Sequence, residues 1–209
     1  MVIAVVVLAM AVLSGLTLVL SHAQQEEAAQ GAPAPAASPA PAPVEGAQAN
    51  LPEPAPGSSK DVQTMTLKIA GREAPVDPVQ VTEKHVLLPP TDVQRLGWYS
   101  ASAVPGSTGG VGSSVITGHI NDAAQGDGFA HSFTALRAGD VVAVTMNGGN
   151  VQQFRVTQDP EHVVKGSPLP EVVNDAHGPN RLVLITCGGQ FVGGQLGYAD
   201  NVITVAEPV

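Results

Sequence analysis

The chain has 209 residues, enough for one domain of ordinary size, with 18 acidic residues against 9 basic ones and a formal net charge of −9. That balance, with no basic patch anywhere, excludes a nucleic-acid surface. The single cysteine excludes an internal disulfide and any multi-cysteine metal site.

Residues 2-VIAVVVLAMAVLSGLTLVL-20 carry no charge. At ~1.5 Å rise per residue the run would span roughly 28 Å as a helix, about one hydrocarbon core. A secretory signal would more typically show a basic start and a shorter apolar core, and no Lys or Arg precedes this run. Residues 1–23 are therefore read as a membrane anchor or signal segment. Retention is the expectation, with cleavage after Ala23 as the alternative because Ser21 and Ala23 are small. Residues 24–62 are mostly Pro, Ala, Gly and acidic side chains and hold too little apolar surface to form a core. They are read as a disordered stalk biased toward extended polyproline backbone, reaching up to roughly 120 Å at ~3.1 Å per residue. No later segment is apolar enough to cross again, so the remainder is expected on one side of a membrane, the outer face.

Residues 63–209 form the expected folded domain. The run 64-TMTLKIA-70 alternates and reads as a strand, and 76-VDPVQV-81 and 85-HVLLPP-90 as two short ones. The stretch 91-TDVQRLGWYSASAVPG-106 is expected to hold one irregular helical turn, with Trp98 and Tyr99 as a packed corner. A strand at 112-GSSVITGHI-120 and a mixed loop follow. A Gly-Asp turn then leads into 141-VVAVTM-146, which Asn147, Gly148 and Gly149 turn back into 151-VQQFRVTQ-158, the clearest hairpin in the chain. Lys165 to Asn174 is read as holding a short helix. Residues 182–187 form an apolar strand that Gly188 and Gly189 are expected to break, and 201-NVITVAE-207 is the last strand. Many short strands with such turns, and no long helical periodicity, predict an all-β closed or nearly closed barrel. Low aromatic content leaves Val, Leu and Ile to fill most of the core.

The one cysteine, Cys187, ends an apolar strand where scaffold meets loop. Buried packing and nucleophilic chemistry are both open there, since free cysteine is often only a small core residue. A nucleophilic thiol needs a base or an electropositive neighbour. Among the histidines of the folded part, His85, His131, His162 and His177 lie in polar, turn or strand-edge contexts. His119 alone ends an apolar strand beside a glycine, as Cys187 does, with a structural role as its rival reading. Asp122, Asp127 and Asp140 lack the regular spacing of a calcium loop, and no His/Asp/Glu cluster has metal-motif spacing, so no metal or other cofactor is expected.

The pattern 117-TGHIND-122, then 184-LITCGGQF-191, then 198-YADNVITVA-206 resembles the sortases, and within them the class F branch. The likeness covers about residues 63–208 and extends to 103-AVPGSTGGVGSSVITGHI-120, 130-AHSFTALRAGDVVAVT-145, Lys165 and Pro170. It implies a closed barrel of about eight strands with short helices and long loops. It also implies a membrane-attached cysteine transpeptidase on a Gram-positive surface. Such an enzyme cleaves a Leu-Pro-x-Thr-Gly-type sorting signal of a surface protein between Thr and Gly through a thioester. It then joins the threonine to a peptidoglycan-precursor amine. Carried over by position, Cys187 is the nucleophile and His119 the general acid/base.

One departure stands out. The resembled family places an arginine beside the tyrosine of its last strand, where this chain has Ala199 between Tyr198 and Asp200, and no Arg or Lys follows Arg181. Arg95, Arg137, Arg155, Arg181 and Lys165 are the cations left to replace it. Arg181 stands six residues before the cysteine, roughly 20 Å away at ~3.3 Å per residue. Tyr198, Ala199 and Asn201, with nearby backbone N–H groups, are the expected substrate-binding or oxyanion positions. Activity is expected to be impaired by the missing guanidinium, with a catalytically silent peptide-binding module of the same fold as the alternative.

Overall fold

The computed structural model describes Val62 and residues 64–209, apart from 84, 107–109 and 195. The anchor and stalk readings, save Val62, lie outside the described residues. Among the described residues no helix is long and apolar enough to cross a membrane.

The strands in chain order are β1 (Met65–Ile69), β2 (Arg72–Val79), β3 (Leu96–Tyr99), β4 (Ser113–Thr117), β5 (Asn121–Asp122), β6 (Gly126–Asp127), β7 (Val141–Met146), β8 (Asn150–Val156), β9 (Glu161–Val164), β10 (Arg181–Gly193) and β11 (Gly197–Pro208). The main sheet runs β10-β4-β3-β2-β1-β7-β8-β11, and β11 pairs back onto β10. Eight strands thus close on themselves, as expected, and closure removes the sheet edges. The ninth strand, β9, lies beside β11 at Asp200–Ile203, while β8 takes the far end of β11 at Ala206–Pro208.

Side-chain alternation explains the unbroken apolar runs. In β10, Leu182 and Leu184 join Leu67, Trp98, Ile116 and Phe154 in one buried cluster, while Val183 and Ile185 pack with Tyr99, Val115, Val163 and Ile203 in another. A strand covered on both faces has no polar side to show. The scarce aromatics are concentrated in this core: Trp98, Phe129, Phe133 and Phe154 are its largest fully buried side chains. Phe129 and Phe133 come from a 3-10 helix over Phe129–Ala135. The hairpin between β7 and β8 turns at Asn147 and Gly148, with φ of 50° and 73°, the left-handed pair a two-stranded twist favours.

Four local expectations change. The stretch 91–106 keeps one hydrogen-bonded turn, with the Arg95 N–H donating to the Asp92 carbonyl at 3.0 Å, but it leads into an unexpected strand, β3, whose four residues are all buried between β2 and β4. Long-range pairing overrides local signals there. Trp98 is still a packed corner, 2% exposed, with its indole N–H donating to the Ala103 carbonyl at 3.1 Å. Of the two short strands expected at 76–81 and 85–90, the first is the end of β2, and the second keeps only an isolated bridge between Val81 and Leu87. Within 165–174 the helix is a 3-10 turn at Glu171–Asn174, and β9 precedes it where no strand was expected. Gly188 and Gly189 do not end β10, which runs on to Gly193 through irregularities in its register with β11.

Candidate active site

The site is built by two neighbouring parallel strands. β4 and β10 run side by side with Thr117 opposite Ile185. His119 stands two residues beyond the first and Cys187 two beyond the second, so both emerge at one height, from strands ~4.8 Å apart. Two bonds carry the junction past the end of β4. The Gly118 N–H donates to the Ile185 carbonyl at 3.2 Å, and the buried Thr186 hydroxyl donates to the Gly118 carbonyl at 2.9 Å. Gly118 has no room for a side chain: a Cβ would lie 2.5 Å from Leu96 Cδ2 and 2.7 Å from Ala130 Cβ. The histidine loop is held from its other side by Gly128, whose N–H donates to the Ile120 carbonyl at 2.8 Å.

The two glycines after the thiol also have a spatial reason. A Cβ on Gly188 would lie 2.4 Å from Val202 Cγ2, and one on Gly189 would lie 2.3 Å from Asp200 Oδ2. Gly189 also has φ +74°, in the left-handed region that favours glycine. They let the β10–β11 ribbon continue past Cys187 instead of opening into a free loop.

Cys187 is partly exposed on a cleft of about 260 Å³, which His119, Asn121, Phe191, Leu196 and Tyr198 also line. Phe191, 66% exposed, meets the Tyr198 ring edge-on with centroids 5.2 Å apart. The Asn121 side-chain amide donates to the Tyr198 hydroxyl at 2.7 Å, tying the histidine loop to the β10–β11 ribbon. Ala199 adds no side-chain donor; its carbonyl accepts from the Lys165 N–H at 2.9 Å. Asn201 is the cross-strand partner of Cys187, but its side chain is not among the cleft lining. Among the described residues no group of His, Cys, Asp and Glu is placed to hold a metal ion.

In the sequence Lys165 is one of the residues that carry the family resemblance and one of five cations that could stand in for the missing arginine, with nothing to place it at the thiol. The structure sets its ammonium 3.4 Å from Cys187 Sγ and lets it donate to the Leu196 carbonyl at 2.7 Å. The four arginines considered with it are engaged elsewhere. Arg95 grips Asp77 at 2.6 Å, a hydrogen bond that holds the Asp77 carboxyl below the usual range. Arg137 caps the Leu136 carbonyl at 2.6 Å, Arg155 the Gly139 carbonyl at 3.1 Å, and Arg181 pairs with Asp175 at 3.3 Å. The missed signal was β9. Val164 pairs with Asp200, so the next residue, Lys165, comes opposite Ala199.

His119 is half-buried, and burial lowers its pKa, with the Asp122 charge working in the opposite direction. Its titration, followed by NMR of the ring protons, is expected below that of a histidine in a short peptide. Asp122→Asn removes the opposing charge and should move the midpoint further down; an unchanged midpoint would mean that Asp122 does not act on the imidazole.

A thiol and an imidazole on one cleft, with an ammonium 3.4 Å from the sulfur, can carry out nucleophilic acyl transfer. The Sortase domain family model matches residues 67–209. No curated protein matches the chain. Among solved structures, sortase A from Corynebacterium diphtheriae is 20% identical with a TM-score of 0.53, over 70% of this chain and 60% of that one. The Streptococcus agalactiae sortase C1 solved in complex with MTSET is 14% identical with a TM-score of 0.53, over 72% of this chain and 70% of that one. A pilus-related sortase C of Group B Streptococcus is 14% identical with a TM-score of 0.53, over 73% of this chain and 69% of that one. At these identities the likeness is one of fold.

Proposed function

Since the chain belongs to the sortase family of cysteine transpeptidases, we propose that it acts, as a class F member, on Leu-Pro-x-Thr-Gly-type sorting signals of surface proteins. It cleaves between Thr and Gly and transfers the threonyl group to a peptidoglycan-precursor amine. The observation that carries this reading is the matched height of His119 and Cys187 on adjacent parallel strands, both facing one cleft.

The thiol proton passes to the His119 imidazole, and the sulfur attacks the threonine carbonyl carbon. The carbonyl π pair moves to oxygen and makes an oxyanion. As the tetrahedral carbon collapses, the C–N bond breaks and its electron pair leaves with the glycine nitrogen, which takes the imidazolium proton. A thioester remains on Cys187. The acceptor amine then attacks that carbon and gives its surplus proton to the imidazole, and the C–S bond breaks to release the sulfur, which takes that proton back from the imidazolium and restores the thiol. Tyr198 borders the acyl end of this path, while Ala199 and Asn201 stand on β11 outside the cleft lining, Asn201 directly across from Cys187. Turnover is lower than in a relative bearing the arginine, because Ala199 offers no guanidinium fork to the oxyanion. The run Val2–Leu20 holds the chain in the cell membrane by a single pass, with the stalk carrying the domain outside.

The second reading, a peptide-binding module without turnover, is favoured by the same Ala199. A fluorogenic Leu-Pro-x-Thr-Gly peptide with an added amine separates the two. The expected outcome is amide product, a thioester at Cys187 seen by mass spectrometry, and full-length chain in the membrane fraction. Saturable peptide binding with neither thioester nor product would establish the silent module instead.

A further inference from the structure

A thiol that attacks a carbonyl works with negative charge twice, on sulfur as it attacks and on the carbonyl oxygen as the tetrahedral carbon forms. Something at the cleft must balance that charge. The Tyr198 hydroxyl, which accepts from Asn121, can donate a hydrogen bond but brings no positive charge, and the Ala199 carbonyl is an acceptor occupied by a backbone N–H. Of the arginines, Arg72 stacks over the Phe129 ring and the other four are paired away from the cleft. Lys165 is different. It follows β9, and β9 is held against the β11 segment that pairs with the cysteine strand. Its backbone is fixed to Ala199 and its ammonium to the Leu196 carbonyl, in the connection between β10 and β11. The side chain is therefore anchored at both ends with its charge against Sγ.

We infer that Lys165 is a catalytic residue that reaches the Cys187 sulfur from outside the cleft lining, supplying the positive charge that balances the sulfur during attack and the oxyanion afterwards. An ammonium has three donors. One goes to the Leu196 carbonyl and one to Sγ, which leaves a third. The oxyanion forms on the carbon bonded to that same sulfur, so a donor already touching Sγ needs only a small rotation to reach it. Because Lys165 and Ala199 face each other across two paired strands, the charge stands one strand away from the position at which Ala199 leaves a gap. A single ammonium is a point charge without the planar fork of a guanidinium. Turnover through Lys165 is thus retained but submaximal. The turnover half of this inference rests on the acyl-transfer reading above; the sulfur half does not.

The test has two readouts. Iodoacetamide alkylation of Cys187 in the folded protein, at one fixed pH, needs no peptide. Amide formation from the Leu-Pro-x-Thr-Gly peptide and an amine needs the whole reaction. Lys165→Met removes both charge and donor, whereas Lys165→Gln keeps a donor for the Leu196 carbonyl without the charge. Both are expected to slow alkylation about tenfold or more and to lower kcat/KM about 10²-fold. Lys165→Arg should keep at least about a third of each rate. Adding Ala199→Arg to Lys165→Met should recover about tenfold of the lost kcat/KM by returning a cation from the opposite strand. All rates are compared at matched folded fraction. If Lys165→Gln alkylates and turns over like the unchanged protein, Lys165 is only a tie to Leu196 and the inference is overturned. If the unchanged protein makes no amide but its alkylation depends on the charge at 165, the acyl-transfer reading fails while the sulfur half stands.

Discussion

Cys187→Ala is expected to lower transpeptidation by on the order of 10⁴–10⁶, to below detection in an amide-forming assay. The sulfur forms the bond that the whole sequence of steps passes through, and no other thiol exists in the chain. The side chain is partly exposed on the cleft and not locked in the core, so the melting temperature should change little. His119→Ala should cost about 10²–10⁴, the usual scale of a positioned acid/base. The double variant should be no worse than Cys187→Ala alone, because groups that serve one step are strongly non-additive. Amide formation persisting in Cys187→Ala would remove the thiol from the mechanism altogether.

Gly128→Ala is expected to lower kcat/KM by about 10² while leaving a folded domain. The added methyl would sit 2.2 Å from the His119 carbonyl oxygen and 2.9 Å from that of Val93, both backbone atoms that cannot rotate away. The backbone at Gly128 is extended, with φ −79°, so alanine meets no conformational strain there and the whole effect is steric. The histidine loop must move. Its Gly118 end is fixed to β10 through Ile185 and Thr186, so the displacement falls on His119 itself. Over-packing of this kind costs about 1–3 kcal/mol, less than would unfold an ordinary domain. Thermal melting with parallel kinetics checks it. An unchanged kcat/KM would mean that the loop absorbs the methyl without moving the imidazole.

The core and most of the barrel were legible in the amino-acid order. The runs at 65–69, 113–117, 141–146 and 182–187 are apolar enough to be strands whatever surrounds them, and Asn147-Gly148 specifies its own hairpin. These are properties of adjacent residues: period-two patterning, glycine at left-handed positions, apolar runs that must be buried on both faces. The ends of two such runs also marked His119 and Cys187 as candidates. Their pairing was not in either run. It follows from β4 and β10 lying parallel in register, which is a matter of long-range strand pairing.

The same limit explains what was missed. β3 holds a four-residue strand between turn signals, and only its neighbours β2 and β4 make it one. β9 is a short, largely exposed strand with one buried residue, Val163, too little apolar pattern to announce itself. Gly188 and Gly189 read locally as breakers, yet they are what lets β10 pass Val202 and Asp200 without collision. Composition, spacing and local pattern thus determined an acidic β domain with a thiol and an imidazole at the ends of apolar runs. The tertiary structure alone decided that those ends share a cleft and that Lys165, 22 residues before the cysteine, brings its charge to the sulfur. Contacts at that separation depend on which strands pair, and pairing is set by the burial of whole faces at once, not by any window of neighbouring residues.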